Sequence, residues 1–181
     1  MDTLTPEQLA REGTEAYKKG DFLAAAQAFQ AAAESYAAGG DHLNAAEMKN
    51  NCSVAYLQAG EAEAALRAVE GTVEVFAAAG DLRRQGLAAG NLGAALEELD
   101  RFEEAAQAYQ QSAEALEKAG EDALRAHVMQ SLSSVQLRTG KHLQAVATMQ
   151  SGLEGVKRPT PQQRMLKRLL QIPFNMLNKN S

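Results

Sequence analysis

The stretch DRFEEAAQAYQQSAEAL, residues 100–116, decides the fold because its pattern returns every 40 residues along the chain. Its Ala105 is the third of four alanines in one register, Ala25, Ala65, Ala105 and Ala145. Three further sets keep the same spacing: the small residues Ala32, Thr72, Ser112 and Gly152, the larger apolar residues Tyr36, Phe76, Leu116 and Val156, and Glu34, Glu74, Glu114 and Glu154. A fixed period of roughly 20–50 residues is typical of stacked supersecondary units that bury their hydrophobic faces against one another.

Turn residues divide each unit into two halves. One set is Gly20, Gly60, Asp100 and Gly140, and the other, half a period away, is Gly40, Gly80 and Gly120. Glycine favours the left-handed conformation after a helix end, and an acidic residue beside it can cap the next helix. The segments between turns are rich in Ala, Leu, Glu and Gln, with apolar residues three and four apart, which predicts helix. We therefore expect eight antiparallel helices at about 6–19, 22–38, 42–59, 62–79, 82–99, 102–119, 122–139 and 142–157.

The predicted fold is an all-α solenoid of four antiparallel helix pairs that forms one unit over residues 5–157. The pairs occupy about 5–40, 41–80, 81–120 and 121–157, and a basic C-terminal capping helix and tail follow at 158–181. The chain of 181 residues is 45% hydrophobic but only 5% aromatic, without tryptophan, so its core is built mainly from Ala and Leu on closely packed helices.

Neither a membrane-spanning segment nor an export signal is expected from the sequence. No apolar run approaches the roughly 18 residues needed to cross a bilayer, and the first residues resemble no leader peptide. We expect a cytoplasmic protein, and a membrane partner is not expected for the repeats themselves.

The sequence offers no set of residues suited to catalysis or metal binding. Cys52 stands at an apolar position in mid-helix, where a small buried side chain is expected. His42, His127 and His142 fall in three segments, without the spacing that places two imidazoles on one helix face. We expect no enzyme activity, no metal and no cofactor.

The glycine-rich stretch 86–93 resembles a phosphate-binding loop only superficially. Such a loop joins a strand to a helix, and no strand is predicted before this stretch. Gly93 aligns instead with Gly13, Ser53 and Ser133, which are all small. This alignment predicts close contact between helices.

The third repeat carries a family resemblance. Asn91-Leu92-Gly93, followed by Phe102, Ala105 and Tyr109, resembles the tetratricopeptide repeat in a longer form with the period seen here, as in kinesin light chain and Pins-type adaptors. The first repeat matches at Gly13, Tyr17, Phe22, Ala25 and Phe29, whereas the second and fourth have Val69 and Met149 in place of an aromatic residue. The alanine-rich stretch 31–36 also resembles soluble attachment-protein adaptors of membrane-fusion ATPases, but Asn-Leu-Gly favours the first group.

The resemblance implies a right-handed superhelix whose first helices line a concave groove that holds an extended or helical peptide. The groove positions carried over are Arg11, Thr14, Asn50, Asn51, Val54, Gly90, Asn91, Ala94, Gln130, Ser131 and Ser134. This lining is polar, small and nearly uncharged. Asn51 and Asn91 occupy one position in successive repeats, and their amides either bind a peptide backbone or are solvated or bonded to a neighbouring helix. Leu87 and Asn91 stand where the family's carboxylate clamp has Lys and Arg, so that clamp is not expected.

Charge is segregated along the chain. After Glu154 there are six basic residues and no acidic one, whereas residues 1–156 carry 12 basic and 23 acidic residues. Thr160-Pro161-Gln162-Gln163 predicts a helix start, as Thr5-Pro6-Glu7-Gln8 does near the beginning of the chain. The predicted helix 161–171 has an apolar stripe of Met165, Leu166, Leu169 and Leu170.

Three interpretations of the C-terminal segment remain open. The helix caps the last repeat, or the apolar residues Ile172, Phe174, Met176 and Leu177 pack on a second copy in a homodimer, or the segment attaches to an anionic membrane surface or acidic partner. Nucleic-acid binding is not expected, because the net charge is −5 and no aromatic platform is present.

The sequence therefore predicts a protein-interaction adaptor or scaffold that binds a peptide or partner segment in its concave groove. The alternatives are a self-assembling structural subunit, whose C-terminal tail fills a groove or forms a dimer contact, and an adaptor like the attachment proteins.

Overall fold

The structure is a computed structural model that describes residues 4–154, 156, 159–161 and 164–168. Within these residues it is helical and contains no strand. The helices are α1 Pro6–Lys18, α2 Phe22–Ala38, α3 His42–Gln58, α4 Ala62–Val69, α5 Thr72–Ala78, α6 Leu82–Glu98, α7 Phe102–Lys118, α8 Asp122–Arg138 and α9 His142–Glu154. Consecutive helices pack against each other, as the short turns between them require, with the exception of α4 and α5. This arrangement confirms an all-α solenoid of helix pairs.

The turns follow the predicted chemistry. The predicted turn glycines have a positive φ, for example 81° at Gly20 and 73° at Gly120. Asp100, with a φ of 55°, is the one residue other than glycine with a positive φ in the described part of the chain. Asp21, Asp41 and Asp81 each accept a hydrogen bond from the backbone N–H three residues further on. At α1, Thr5 and Gln8 form a reciprocal capping box.

The alanine register is the buried seam of the solenoid. Ala25, Ala65 and Ala105 are fully buried, and Ala145 is 1% exposed. The small residues with the same spacing are also buried, and they are Ala32, Thr72, Ser112 and Gly152. The glutamates with this spacing are all exposed, and they are Glu34, Glu74, Glu114 and Glu154. Each repeat therefore turns the same side of its second helix inward.

Close helix contact explains the small residues of the first helices. A Cβ atom at Gly93 would lie 2.7 Å from the Tyr109 ring, and one at Gly13 would lie 2.8 Å from the Phe29 ring. These distances are shorter than carbon atoms tolerate. The glycines of the stretch 86–93 lie inside α6 and serve packing, as predicted.

The helix predicted at 62–79 is wrong, because the chain breaks there into α4 and α5. Glu70 is extended, with a ψ of 132°, and Gly71 is left-handed, with a φ of 77°. The Thr72 hydroxyl donates to the Val69 carbonyl at 2.7 Å, and this buried hydrogen bond bridges the break. A residue other than glycine stands at the corresponding position of each other repeat, and these residues are Ala31, Gln111 and Ser151.

The C-terminal end differs in extent from the prediction. Helix α9 ends at Glu154 and not at 157. Residues 161 and 164–168 are helical, and the Arg164 N–H donates to the Thr160 carbonyl at 2.9 Å. The rest of the predicted helix 161–171, including Leu169 and Leu170, and the apolar residues of the tail lie outside the described residues. The capping role stays a prediction.

Candidate peptide groove

The predicted groove residues all lie on the first helices of the pairs, α1, α3, α6 and α8. Each of them is partly or fully exposed. The residues that face the partner helix of the same pair are buried instead, as Ser53 and Gly93 are. The structure thus separates a packing side of the first helices from an accessible side, and the predicted residues are on the accessible one.

An amide pair joins two of the first helices. The Asn91 side-chain N–H donates to the Asn50 side-chain oxygen at 2.9 Å, from α6 to α3. Asn91 keeps one N–H and its oxygen for other partners, because an amide has two donors and one carbonyl acceptor. Asn51, in contrast, makes no side-chain hydrogen bond to any other described residue. The two asparagines in one register are therefore not equivalent.

Two predicted groove hydroxyls are already engaged within the protein. The Thr14 hydroxyl donates to the Ala10 carbonyl at 2.9 Å. The Ser131 hydroxyl interacts with the hydroxyl of Tyr109, which itself donates to a Glu97 carboxylate oxygen at 2.9 Å. Burial raises the pKa of Tyr109, and the nearby Glu97 carboxylate adds to that shift. The hydroxyl of Tyr109 therefore stays protonated as a donor.

Four polar side chains of the groove remain uncommitted. Arg11, Asn51, Gln130 and Ser134 make no side-chain hydrogen bond or ion pair to the other residues that the structure describes. They are spread over α1, α3 and α8. Their free donors and acceptors make them the strongest candidates for contacts with a bound segment.

Ion pairs fix the first helices relative to one another. Arg84 on α6 reaches Glu47 on α3 at 2.9 Å and Asp81 at 2.6 Å, and its guanidinium lies 5.4 Å from the centre of the Phe76 ring. Hydrogen bonds from the Arg84 backbone and side chain hold the pKa of Asp81 below its usual value. This ion pair was not predicted from the sequence, although Glu47 and Arg84 are 37 residues apart, close to one repeat period.

A second tie joins α6 to α8. Arg138 lies 3.1 Å from Asp100 and 3.5 Å from Glu97, and its guanidinium stacks 4.2 Å from the centre of the Phe102 ring. A cation over an aromatic face adds roughly 0.5–1 kcal/mol at an exposed site. These ion pairs, together with the amide pair of Asn50 and Asn91, thus link α3, α6 and α8.

Cys52 is buried, as predicted, and the three histidines lie on the surface. Cys52 is 3% exposed, its thiol donates to the Ala26 carbonyl at 3.3 Å, and burial raises its pKa to about 11. A thiol with that pKa is protonated at neutral pH. His42, His127 and His142 are exposed. No group of three or more potential metal ligands occurs among the described residues.

None of the helices in the described part of the chain is long and apolar enough to cross a bilayer.

Stacked helix pairs with an accessible face on their first helices define an α-helical repeat solenoid. The family model of the tetratricopeptide repeat matches residues 84–158. Over these residues the chain is similar to the tetratricopeptide repeat family, as the residues of the third repeat predicted. The match covers α6 to α9, and the earlier helices share its turn spacing and buried alanines. No curated protein matches the chain. The particular likeness to kinesin light chain stays a prediction.

Proposed function

We propose that this protein is a scaffold or adaptor that binds a peptide or partner segment along its concave groove. The observation that carries the proposal is the row of accessible, uncommitted polar side chains on the first helices. Tetratricopeptide repeats are protein-interaction modules, which supports a protein partner. The proposal includes no catalytic step and no cofactor.

The groove chemistry favours a segment that offers backbone groups. Amides such as Asn51 and Gln130 both donate to a carbonyl and accept from an N–H, so they suit an extended peptide backbone. Leu87 and Asn91 give no pair of cations for a terminal carboxylate. We therefore propose recognition of an internal segment rather than a chain end.

The test uses a peptide selected from a random library on the wild-type chain, with affinity measured by fluorescence anisotropy. Replacing Asn51 and Gln130 together by Ala removes two hydrogen bonds worth about 0.5–1.5 kcal/mol each, which raises Kd roughly 5- to 150-fold. Gln107→Ala is the matched control, because this exposed glutamine lies on α7, a second helix. An unchanged Kd in the folded double variant would remove this face as the binding site.

A second candidate function, self-assembly, is favoured by the exposed end of the last repeat. Leu143 is 89% exposed, Leu137 49% and Val146 39%. In the first repeat, the counterpart of Val146 is Ala26, which the following pair buries completely. We name Leu137, Leu143 and Val146 the C-terminal end face.

The opposite end of the solenoid is acidic. At the α1 positions that correspond to Cys52 and Ala55, the chain has Glu12 and Glu15, and both are exposed. An apolar face does not match this acidic end, so head-to-tail stacking is disfavoured. Two C-terminal end faces packed together would form a closed dimer.

A further inference from the structure

An opening of about 550 Å³ lies between α2 and α4, with α3 as its floor. Its walls are Ala33 and Ala37 on α2 and Ala64 and Ala68 on α4, and Cys52 and Tyr56 lie at the floor. At about 100° per residue, Lys49 and Tyr56 point away from the side of α3 that carries Asn51. We name this opening the outer groove, since it is on the side opposite the concave groove.

The outer groove is open between the first and second repeats because of the side chains that α3 carries there. At the next junction, Ala89 stands in place of Lys49 and Leu96 in place of Tyr56, and these residues are 0% and 5% exposed. Leu92 there replaces the smaller Cys52. The same register that builds a closed junction between the second and third repeats therefore leaves an open one between the first and second.

Two basic residues line the outer groove without acidic partners. Lys49 and Arg67 are exposed, and neither forms an ion pair with any residue in the described part of the chain. Glu34, the acidic residue of the lining, accepts a hydrogen bond from Gln30 at 3.1 Å. The counterparts of the two basic residues in the other repeats are all uncharged: Leu9, Ala89 and Met129 for Lys49, and Gln27, Gln107 and Ala147 for Arg67. The basic pair is thus particular to this junction of a chain with net charge −5.

We propose that the outer groove binds an acidic amphipathic helix of a partner protein. Both walls carry two alanines four residues apart, and their small side chains leave room for the side chains of a partner. A bound amphipathic helix presents its apolar side chains at the same spacing of about one turn. The exposed cations then face the acidic residues that flank the apolar stripe of that helix. This surface is separate from the concave groove, so the chain has two binding faces.

The test uses the full chain and a fluorescein-labelled synthetic helix of about 18 residues, five turns, with leucine along one face and glutamate on both flanks. We expect it to bind, and Lys49→Glu with Arg67→Glu to raise its Kd at least about tenfold, since two attractions become repulsions. Lys18→Glu with Lys19→Glu makes the same charge change at exposed positions near the end of α1 and leaves the Kd nearly unchanged.

A second variant tests the apolar part of the outer groove. Ala64→Leu fills the groove without a charge change and weakens binding of the same helix, while Asn51→Ala in the concave groove has no effect on it. Binding no tighter than that of a scrambled peptide of equal composition would overturn the proposal, as would equal effects of the two charge reversals. Binding of dodecanoate at Lys49 and Arg67, without binding of the helix, would assign the groove to a small amphiphile and also overturn it.

Discussion

At the residue scale, the fold depends on side chains that stop at Cβ or lack it. Ala105 is fully buried where α7 packs on its neighbours, and Gly93 touches the Tyr109 ring. The hydroxyl of Tyr109 is held by Glu97, so the ring is fixed at both ends. A larger residue at either position has to displace a neighbouring helix.

Ala105→Leu should therefore lower the free energy of unfolding by roughly 1–3 kcal/mol, because it overpacks a helix crossing. Chemical unfolding followed by circular dichroism measures this change. Gln107→Leu on the same helix is the control, since Gln107 is exposed and its side chain makes no hydrogen bond to the other described residues. The neighbouring Glu104 is a poorer control because it binds Arg101 at 2.6 Å. Equal stability of the two variants would contradict the register.

At the element scale, the break between α4 and α5 distinguishes the second repeat from the others. The broken segment has the same length in sequence as its continuous counterparts, so the registers on both sides are kept. Val69 and Thr72 remain buried on either side of the break. The other repeats have no left-handed glycine at this position, and their second helices continue through it without a break.

Gly71→Ala should lower the free energy of unfolding by about 1–2 kcal/mol, because a Cβ atom strains the left-handed conformation. There is open space around that Cβ position, so the cost is conformational and not steric. Gly39→Ala is the matched control, since Gly39 has a φ of −80°. Both variants are compared by chemical unfolding. A Gly71→Ala variant as stable as the wild type would show that α4 and α5 join into one helix without penalty.

At the scale of the whole molecule, the two ends of the solenoid differ in character. The first end is acidic, and the C-terminal end face is apolar. Burying an exposed leucine such as Leu143 stabilises a contact by about 1.5–3 kcal/mol. The basic residues after Glu154 follow directly on this face in sequence. Self-association through the apolar end is the interaction that such an asymmetry favours.

We expect the wild-type chain to dimerise, and Leu143→Glu with Val146→Glu to convert the dimer to a folded monomer whose melting temperature is lower by the contribution of the dimer contact. Light scattering gives the mass, and circular dichroism gives the melting temperature. Leu23→Glu is the matched control, because Leu23 holds the register position of Leu143 in the first repeat and is 51% exposed. A wild-type chain that is monomeric over the whole concentration range would contradict the second candidate function.

The sequence alone determined the architecture of this protein. A period of 40 residues, turn glycines and capping aspartates specify helix pairs through local conformational preferences, and local preferences are readable residue by residue. The same register predicted the buried alanines. The candidate groove residues came from the family resemblance, and the structure places them on the accessible side of the first helices.

Only the tertiary structure decided which of these residues are free. Asn91 is engaged by Asn50 and Ser131 by Tyr109, whereas Asn51 is not engaged by any described residue, although Asn51, Asn91 and Ser131 share one register. The break at Gly71 and the outer groove likewise depend on how neighbouring repeats meet. Contacts between repeats join residues roughly one period apart, and small differences in side-chain size at those contacts open or close a junction. The sequence period therefore determines the helix pair of each repeat, whereas the packing between repeats determines which surfaces are open for binding.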